Sequence, residues 1–354
     1  MENKSIRELE EVIKNASNQE NEDFLAAKRD LEKRRNRKEE NNAENNLVFP
    51  EKPIEEIKKQ SIIRSLSSIV LFIAIFYLFF DWDFRFILIL AGVLLIHELG
   101  HYLAMRIFNY KNLGIFFIPI IGAFASGSKD TISQKQEIFV LLSGPFPGII
   151  IGLILYYFGL QDNNELLLLA SNIFIVLNLF NLLPIMPLDG GRLLKSLFFE
   201  NKEILSNIFI VISILILGIF SIYTKSYFLL IVPFFLIMRL VAQSQIKKLR
   251  ENVQNKGISL NKTYNELSDR EYWLIRDQIG IHIKNYQNVI TPKSYSISEK
   301  ENKIIQQVKA ILQKRATKDL GIVGKIIITI LWLAAFIAPV IIIAAYYIQL
   351  GISI

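Results

Sequence analysis

The chain has 354 residues, 52% of them hydrophobic and 21% charged, with a net charge of +7 and no cysteine. Its apolar residues gather in long runs, which excludes an ordinary soluble domain and points to a polytopic membrane protein, while the lack of cysteine excludes disulfides and thiolate ligands or nucleophiles. The basic excess flanks these runs, as expected of residues that set orientation and meet anionic lipid, so it does not point to nucleic acid.

Residues 1–57 mix both charge signs with few apolar side chains, as in "KRDLEKRRNRKEENNAENN", and read as a solvated, weakly helical cytoplasmic tail or tether. The first apolar run begins too late for a signal peptide, and no internal repeat or glycine-rich phosphate loop follows. Seven spans are expected, at 62–80, 84–106, 138–159, 166–184, 205–222, 226–242 and 326–348. Lys58, Lys59 and Arg64 precede the first span, and Arg106, Lys111, Lys129 and Lys135 separate the second from the third. Arg192, Lys195 and Lys202 follow the fourth, and Lys247, Lys248 and Arg250 follow the sixth, whereas the opposite side carries Arg85 and Lys225. This positive-inside bias puts the N-terminus and the segment 243–325 in the cytoplasm and the C-terminus outside, for a multi-pass protein of the cell membrane.

The second span contains "LLIHELGHYLAMR", in which His97 and His101 are one helical turn apart and share a face, a spacing that a single zinc can bridge. Glu98 is placed to reach a metal-bound water without being a ligand. His97 lies about 14 Å from Arg106 along a helix rising about 1.5 Å per residue, so these polar groups sit within the hydrocarbon layer. An unpaired glutamate there is costly, and such residues usually serve a site. The bland alternative is a pair of core histidines satisfying each other. Residues 113–128, "LGIFFIPIIGAFASGS", are too short and broken to span. The third span contains "SGP" at Ser143–Pro145.

Catalytic zinc typically has three protein ligands and a water. The third histidine, His282, falls in the segment 243–325, so the missing ligand is expected from a carboxylate on another span. "NLFNLLPIMPLDGGRLL" at 178–194 supplies one: Pro184 and Pro187 break the fourth span, and Asp189 precedes Gly190 and Gly191 in a turn expected to be non-helical. Irregular backbone at membrane depth needs protein or a watery cavity to satisfy it, so the break marks a cavity; otherwise it is a plain helix-ending turn. The segment 243–325 shows two capping-box starts, Ser268 with Glu271 and Ser298 with Glu301, the second followed by Ile304, Ile305, Val308, Ile311 and Leu312 at helical spacing. It reads as a small cytoplasmic helical module.

With "HELGH", "SGP" and the Asn-x-x-Pro-x-x-x-x-Asp pattern of Asn181, Pro184 and Asp189, the chain resembles the site-2 protease family of intramembrane zinc metalloproteases over about 84–194. The resemblance implies a three-helix metalloprotease core in which His97, His101 and Asp189 bind one Zn2+, Glu98 is the catalytic base and Asn181 lies beside the site. It also implies that 113–128 is a re-entrant, strand-like loop next to the zinc, whose edge can pair with an unwound substrate; a loop that merely shields the site is the alternative. The family often has an asparagine shortly after its Ser-Gly-Pro turn, where this chain has Gly148. No PDZ-like module fits.

The expected fold is therefore an all-α polytopic membrane protein of about seven transmembrane helices: a charged tail at 1–57, a six-span domain at 58–242, the helical module at 243–325 and a last transmembrane helix at 326–354. The expected activity is hydrolysis of a peptide bond in or beside the transmembrane segment of a membrane-anchored protein substrate, with the lipid bilayer as surroundings and the active site towards the cytoplasm. Asn181 would donate to the developing oxyanion or, equally well, bond between helices. A catalytically inactive scaffold on the same fold is the runner-up. A metal or ion transporter would need polar residues through both leaflets, which the outer halves of these spans lack.

Overall fold

A computed structural model describes residues 28–32, 49–55, 62–79, 83–119, 122–129, 131–199, 202–312 and 315–349. The chain divides into two compact units. One holds the described residues through Ile54 with Leu249–Leu260 and Tyr264–Ile311; the other holds those of Glu55–Lys248, Asn261–Thr263 and Leu312–Ile354.

The larger unit is the membrane part. Among the described residues, Phe84–Ile107, Gln134–Gln161, Glu203–Tyr223, Tyr227–Asn255 and Ile322–Ala345 are long and apolar enough to cross a membrane, and Ile63–Phe79 and Glu165–Asn181 are shorter apolar helices. The protein is thus a mostly helical membrane protein, with small sheets that an all-α reading does not include. In chain order the elements are α1 (Ile62–Phe79), α2 (Phe84–Ile107), β1 (Lys111–Ile118), β2 (Gly122–Ser128), β3 (Thr131–Ser133), α3 (Gln134–Ser143), α4 (Pro145–Gln161), α5 (Glu165–Asn181), α6 (Asp189–Leu194), α7 (Glu203–Tyr223), α8 (Ile231–Asn255), α9 (Asp269–His282), α10 (Glu301–Ile311), β4 (Arg315–Thr317) and α11 (Ile322–Gln349).

Helix α2 starts where the Asp83 carboxylate accepts from the backbone N–H groups of Arg85 and Phe86 at 2.6 and 3.2 Å. Its 24 residues extend about 36 Å at about 1.5 Å each, enough to cross hydrocarbon. One stripe is buried, Ile87, Ala91, His97, Glu98, His101, Ala104 and Met105 among it. The upper part of that stripe packs on Phe72 and Phe76 of α1, which also meet Phe117 of β1. Helices such as α7 keep Ile208, Leu215, Ile219 and Ile222 exposed, a surface suited to lipid and not to water.

The broken stretch after α2 is a hairpin. Strands β1 and β2 pair antiparallel, with Ile115 opposite Ala125. Ser68 of α1 accepts from the Phe117 N–H at 3.1 Å, so one hairpin edge is tied to a helix. A second, parallel pair, β3 with β4, joins segments far apart in sequence. Beside it Asp319 accepts from the Ser133 hydroxyl at 2.6 Å and the Lys135 N–H at 3.2 Å, tying the start of α3 to the chain entering α11.

Helices α3 and α4 run on through Gly144 as one apolar stretch, with Pro145 at the first turn of α4, where its missing N–H costs nothing. Helices α4 and α5 form a close pair because Gly152 packs on Ile175 and Gly159 on Leu168, and the Ser171 hydroxyl donates to the Gly152 carbonyl at 2.8 Å. After α5 the chain is irregular through Leu188. Trp332 of α11 fills the space beside this break, and its indole N–H donates to the Leu182 carbonyl at 2.9 Å.

The smaller unit packs α9 and α10 around Trp273, Tyr272 and Ile304. The capping box of Ser268 and Glu271 opens α9. At the second start Glu301 reaches back to the Ser298 N–H at 2.8 Å, while the Ser298 hydroxyl accepts from Lys300. Buried Arg276 donates to Glu301 at 2.8 Å and to the Ser296 carbonyl at 2.8 Å. Burial and a hydrogen bond to Glu301 push the Tyr272 phenol far above its usual value, so it stays a donor. Residues 49–54, grouped with the charged tail by composition, pack here as well. The Lys52 ammonium donates to the carbonyls of Tyr264, Asn265 and Leu267 at 3.0, 2.9 and 2.5 Å, and Trp273 donates to the Pro50 carbonyl at 2.7 Å.

Candidate metal centre

The centre of the membrane unit is where α2, the α3–α4 turn, α5 and α6 meet. The i, i+4 spacing of His97 and His101 sets both rings on the buried stripe of α2. Asp189 arrives from α6, as the first residue of a short helix and not in an irregular turn; the irregular backbone is the segment before it. Gly190 and Gly191 make that approach possible, because a Cβ on either would collide with the backbone of Leu182 or Ile185. Gly100 and Gly144 do the same between α2 and the Ser-Gly-Pro turn: a Cβ at Gly100 would meet the Ser143 carbonyl, and one at Gly144 the His101 ring.

Three donor atoms converge there. His97 Nε2 lies 3.1 Å from Asp189 Oδ2, His101 Nε2 lies 3.0 Å from the same oxygen, and the two Nε2 atoms are 3.2 Å apart. All three residues are buried. Among the described residues, this is the His/Cys/Asp/Glu group of three or more whose ligand atoms come within 4.8 Å of one another. On the far side of each ring, His97 Nδ1 faces Asn178 Oδ1 at 2.7 Å and His101 Nδ1 faces the Val140 carbonyl at 2.7 Å. Both partners accept, so each Nδ1 carries the proton and each Nε2 turns a lone pair inward. Two lone pairs and a carboxylate oxygen facing one another make a donor set able to hold a metal ion. Zinc with bonds of about 2.0–2.1 Å in a tetrahedron sets its donors about 3.3 Å apart, close to the spacing found, so the donor set fits it.

Glu98, buried beside His97, does not join the three. Its Oε2 accepts from the Ala125 N–H at 2.5 Å, which binds the carboxylate to β2. Ala125 pairs with Ile115 on its other side, so this N–H belongs to the outer edge of the hairpin. Arg192 stands 3.9 Å from Asp189 Oδ1 with its own side chain half exposed.

The residues expected from sequence separate into two groups. His97, His101 and Asp189 are together with Glu98 alongside, whereas the Asn181 amide donates to the Leu177 carbonyl of its own helix at 3.2 Å. His282 faces the Gln278 carbonyl at 3.0 Å and the Asn252 amide at 3.1 Å in the smaller unit. Asn178, one turn before Asn181, and the Val140 carbonyl were missed. A single amide within the apolar run 173–180 was the available signal for Asn178; a backbone carbonyl leaves none.

Residues 85–163 match the model of Peptidase family M50, a stretch that contains His97, Glu98, His101 and the Ser-Gly-Pro turn but ends before Asp189. The chain is 28% identical over 191 residues to a zinc metalloprotease of Methanocaldococcus jannaschii, covering 50% of this chain and 55% of that protein. It is 32% identical over 116 residues to stage IV sporulation protein FB of Bacillus subtilis, covering 32% of this chain and 40% of that one. The chain thus spans about half the length, or less, of these curated relatives. A solved site-2 protease of Methanocaldococcus jannaschii is similar at 22% identity and a TM-score of 0.37, over 52% of this chain and 92% of that one. Through residues 85–163 this chain is thus similar to Peptidase family M50, and over about half its length to a zinc metalloprotease.

Proposed function

We propose that the protein is an intramembrane zinc metalloendopeptidase that hydrolyses a peptide bond in or beside the transmembrane segment of a membrane-anchored protein. The observation that carries this reading is the buried convergence of His97, His101 and Asp189 at 3.0–3.2 Å, with both histidines on a membrane-length apolar helix. His97 and His101 through Nε2 and Asp189 through Oδ2 would hold one zinc ion. Zinc held there supplies Lewis acidity, polarising a scissile carbonyl and making water a nucleophile near neutral pH.

The chain's own side chains do the rest. Glu98 is free of the ligand set, so it can take the proton of the attacking water and return it to the leaving amine. The Ala125 N–H holds that carboxylate in place, and the edge of β2 around it can bind an extended substrate strand. A transmembrane helix must unwind before its peptide bonds can be reached, and pairing with an edge strand replaces the hydrogen bonds lost. Asn181 is proposed to meet the substrate near the oxyanion. The positive-inside bias supports a cytoplasmic N-terminus and an active site towards the cytoplasm.

Purified protein should carry about one zinc per chain, as three protein ligands imply. Glu98→Gln should keep that zinc and abolish cleavage. Metal analysis, together with quantitative proteomics of membrane-anchored proteins in cells bearing wild type or Glu98→Gln, tests both. Equal zinc in wild type and His97→Ala/His101→Ala would sink the metal site. Unchanged substrate levels in Glu98→Gln cells would favour an inactive scaffold.

A further inference from the structure

We propose that Asn178 is a positioning residue that fixes the His97 ring for metal binding, and that Gly148 on the facing helix exists to admit its amide. This rests on the reading of His97 as a metal ligand. Asn178 is fully buried in α5, and both ends of its amide are engaged. Its Nδ2 donates to the Phe174 carbonyl at 2.7 Å, an atom that can only accept. That contact fixes which end of the amide is oxygen, and Oδ1 faces His97 Nδ1 at 2.7 Å. The Phe174 carbonyl thus orients the amide, the amide sets the proton on Nδ1, and the proton's position leaves Nε2 free towards His101 and Asp189.

Room for this chain of contacts comes from α4. A Cβ at Gly148 would collide with Nδ2, Cγ and Oδ1 of Asn178 together, so any larger residue there displaces the whole amide. His101 has no equivalent side chain, because its Nδ1 is held by the Val140 backbone carbonyl. The His97 contact is therefore the one that substitution can remove.

The experiment measures zinc affinity of the full-length detergent-purified protein by chelator competition, on fractions that elute as folded in size exclusion, with the visible spectrum of the cobalt-substituted protein as a second readout. Asn178→Ala and the near-isosteric Asn178→Leu should bind zinc about 10-fold to 100-fold more weakly, the usual effect of removing a histidine's outer partner. Asn178→Asp, which keeps an acceptor for Nδ1–H but gives up the donor to the Phe174 carbonyl, should bind zinc more tightly than Asn178→Ala and bring the cobalt spectrum back towards that of wild type. Gly148→Ala should weaken binding as Asn178→Ala does, yet cost nothing further in the Asn178→Ala background, where the atoms it would strike are gone. Wild-type affinity in Asn178→Ala, with zinc lost from His97→Ala/His101→Ala, would overturn this inference while leaving the metal site intact. Wild type no better than His97→Ala/His101→Ala would overturn the metal site and this inference with it.

Discussion

Asp189 and Asn181 come from one short stretch, yet the structure gives them different surroundings. Asp189 Oδ2 lies within 3.1 Å of both imidazoles, so Asp189→Ala should lower zinc content and cleavage together in metal analysis and a cleavage assay. The Asn181 amide bonds within its own helix, away from the three donors, so Asn181→Ala should keep its zinc. If it serves the oxyanion, the rate should fall on the order of 100-fold to 1000-fold; an unchanged rate would leave it the helix contact seen here. His282→Ala should change neither metal nor rate, its ring being engaged by Gln278 and Asn252. Loss of zinc in that variant, with zinc retained in Asp189→Ala, would reverse the ligand assignment. His97, Glu98 and His101 were legible in the sequence because helical periodicity is local: spacing alone decides which side chains share a face. Asn178 was not, because its role depends on which helix faces α2 and how closely.

At the scale of elements, the motifs interlock through glycine. Gly100 of α2 lies against the Ser143 carbonyl, so Gly100→Ala forces two helices apart. Overpacking of this kind costs about 1–3 kcal/mol, and more where backbone has to move. Gly92, two turns earlier in the same helix, would present a new methyl with nothing within 4 Å. Gly92→Ala should therefore be neutral or stabilising by up to about 1 kcal/mol through helix propensity alone. Thermal unfolding of both variants in detergent tests the contrast, and equal stability would remove the steric argument for the Gly100 contact. The short β1–β2 hairpin answers the question its broken, apolar sequence poses. It is too irregular for a helix, and its backbone groups are met by a partner strand, by Ser68 and by Glu98.

For the molecule as a whole, the proposed orientation rests on the charge bias and is open to direct test. The chain has no cysteine, so single cysteines introduced at exposed positions report topology without background. Asp162→Cys, between α4 and α5, should react with an impermeant thiol reagent in intact cells, whereas Ser259→Cys should react only after permeabilisation. Labelling of Ser259→Cys in intact cells would invert the proposed topology. In the smaller unit, Lys52 and Tyr264 stand 212 positions apart in sequence and are joined by a hydrogen bond, which makes residues 49–54 part of a fold that composition alone would leave as tail.

The sequence by itself determined the membrane character, the apolar helices, five of them among the described residues of membrane-crossing length where seven spans were expected, the His97–His101 pair and the glutamate between them, because hydrophobicity and helical period act over a few neighbouring residues. It also supplied Asp189 as the carboxylate candidate, since prolines and glycines mark a break wherever they occur. Only the tertiary structure decided that Asp189 Oδ2 reaches both imidazoles, that Asn178 and Val140 hold their outer nitrogens, and that β2 meets Glu98. Those contacts join segments brought together by packing, and the space for them is set by absent side chains at Gly148 and Gly190. Which atom fills a gap left by a glycine depends on the facing helix, and no local pattern in the chain encodes that.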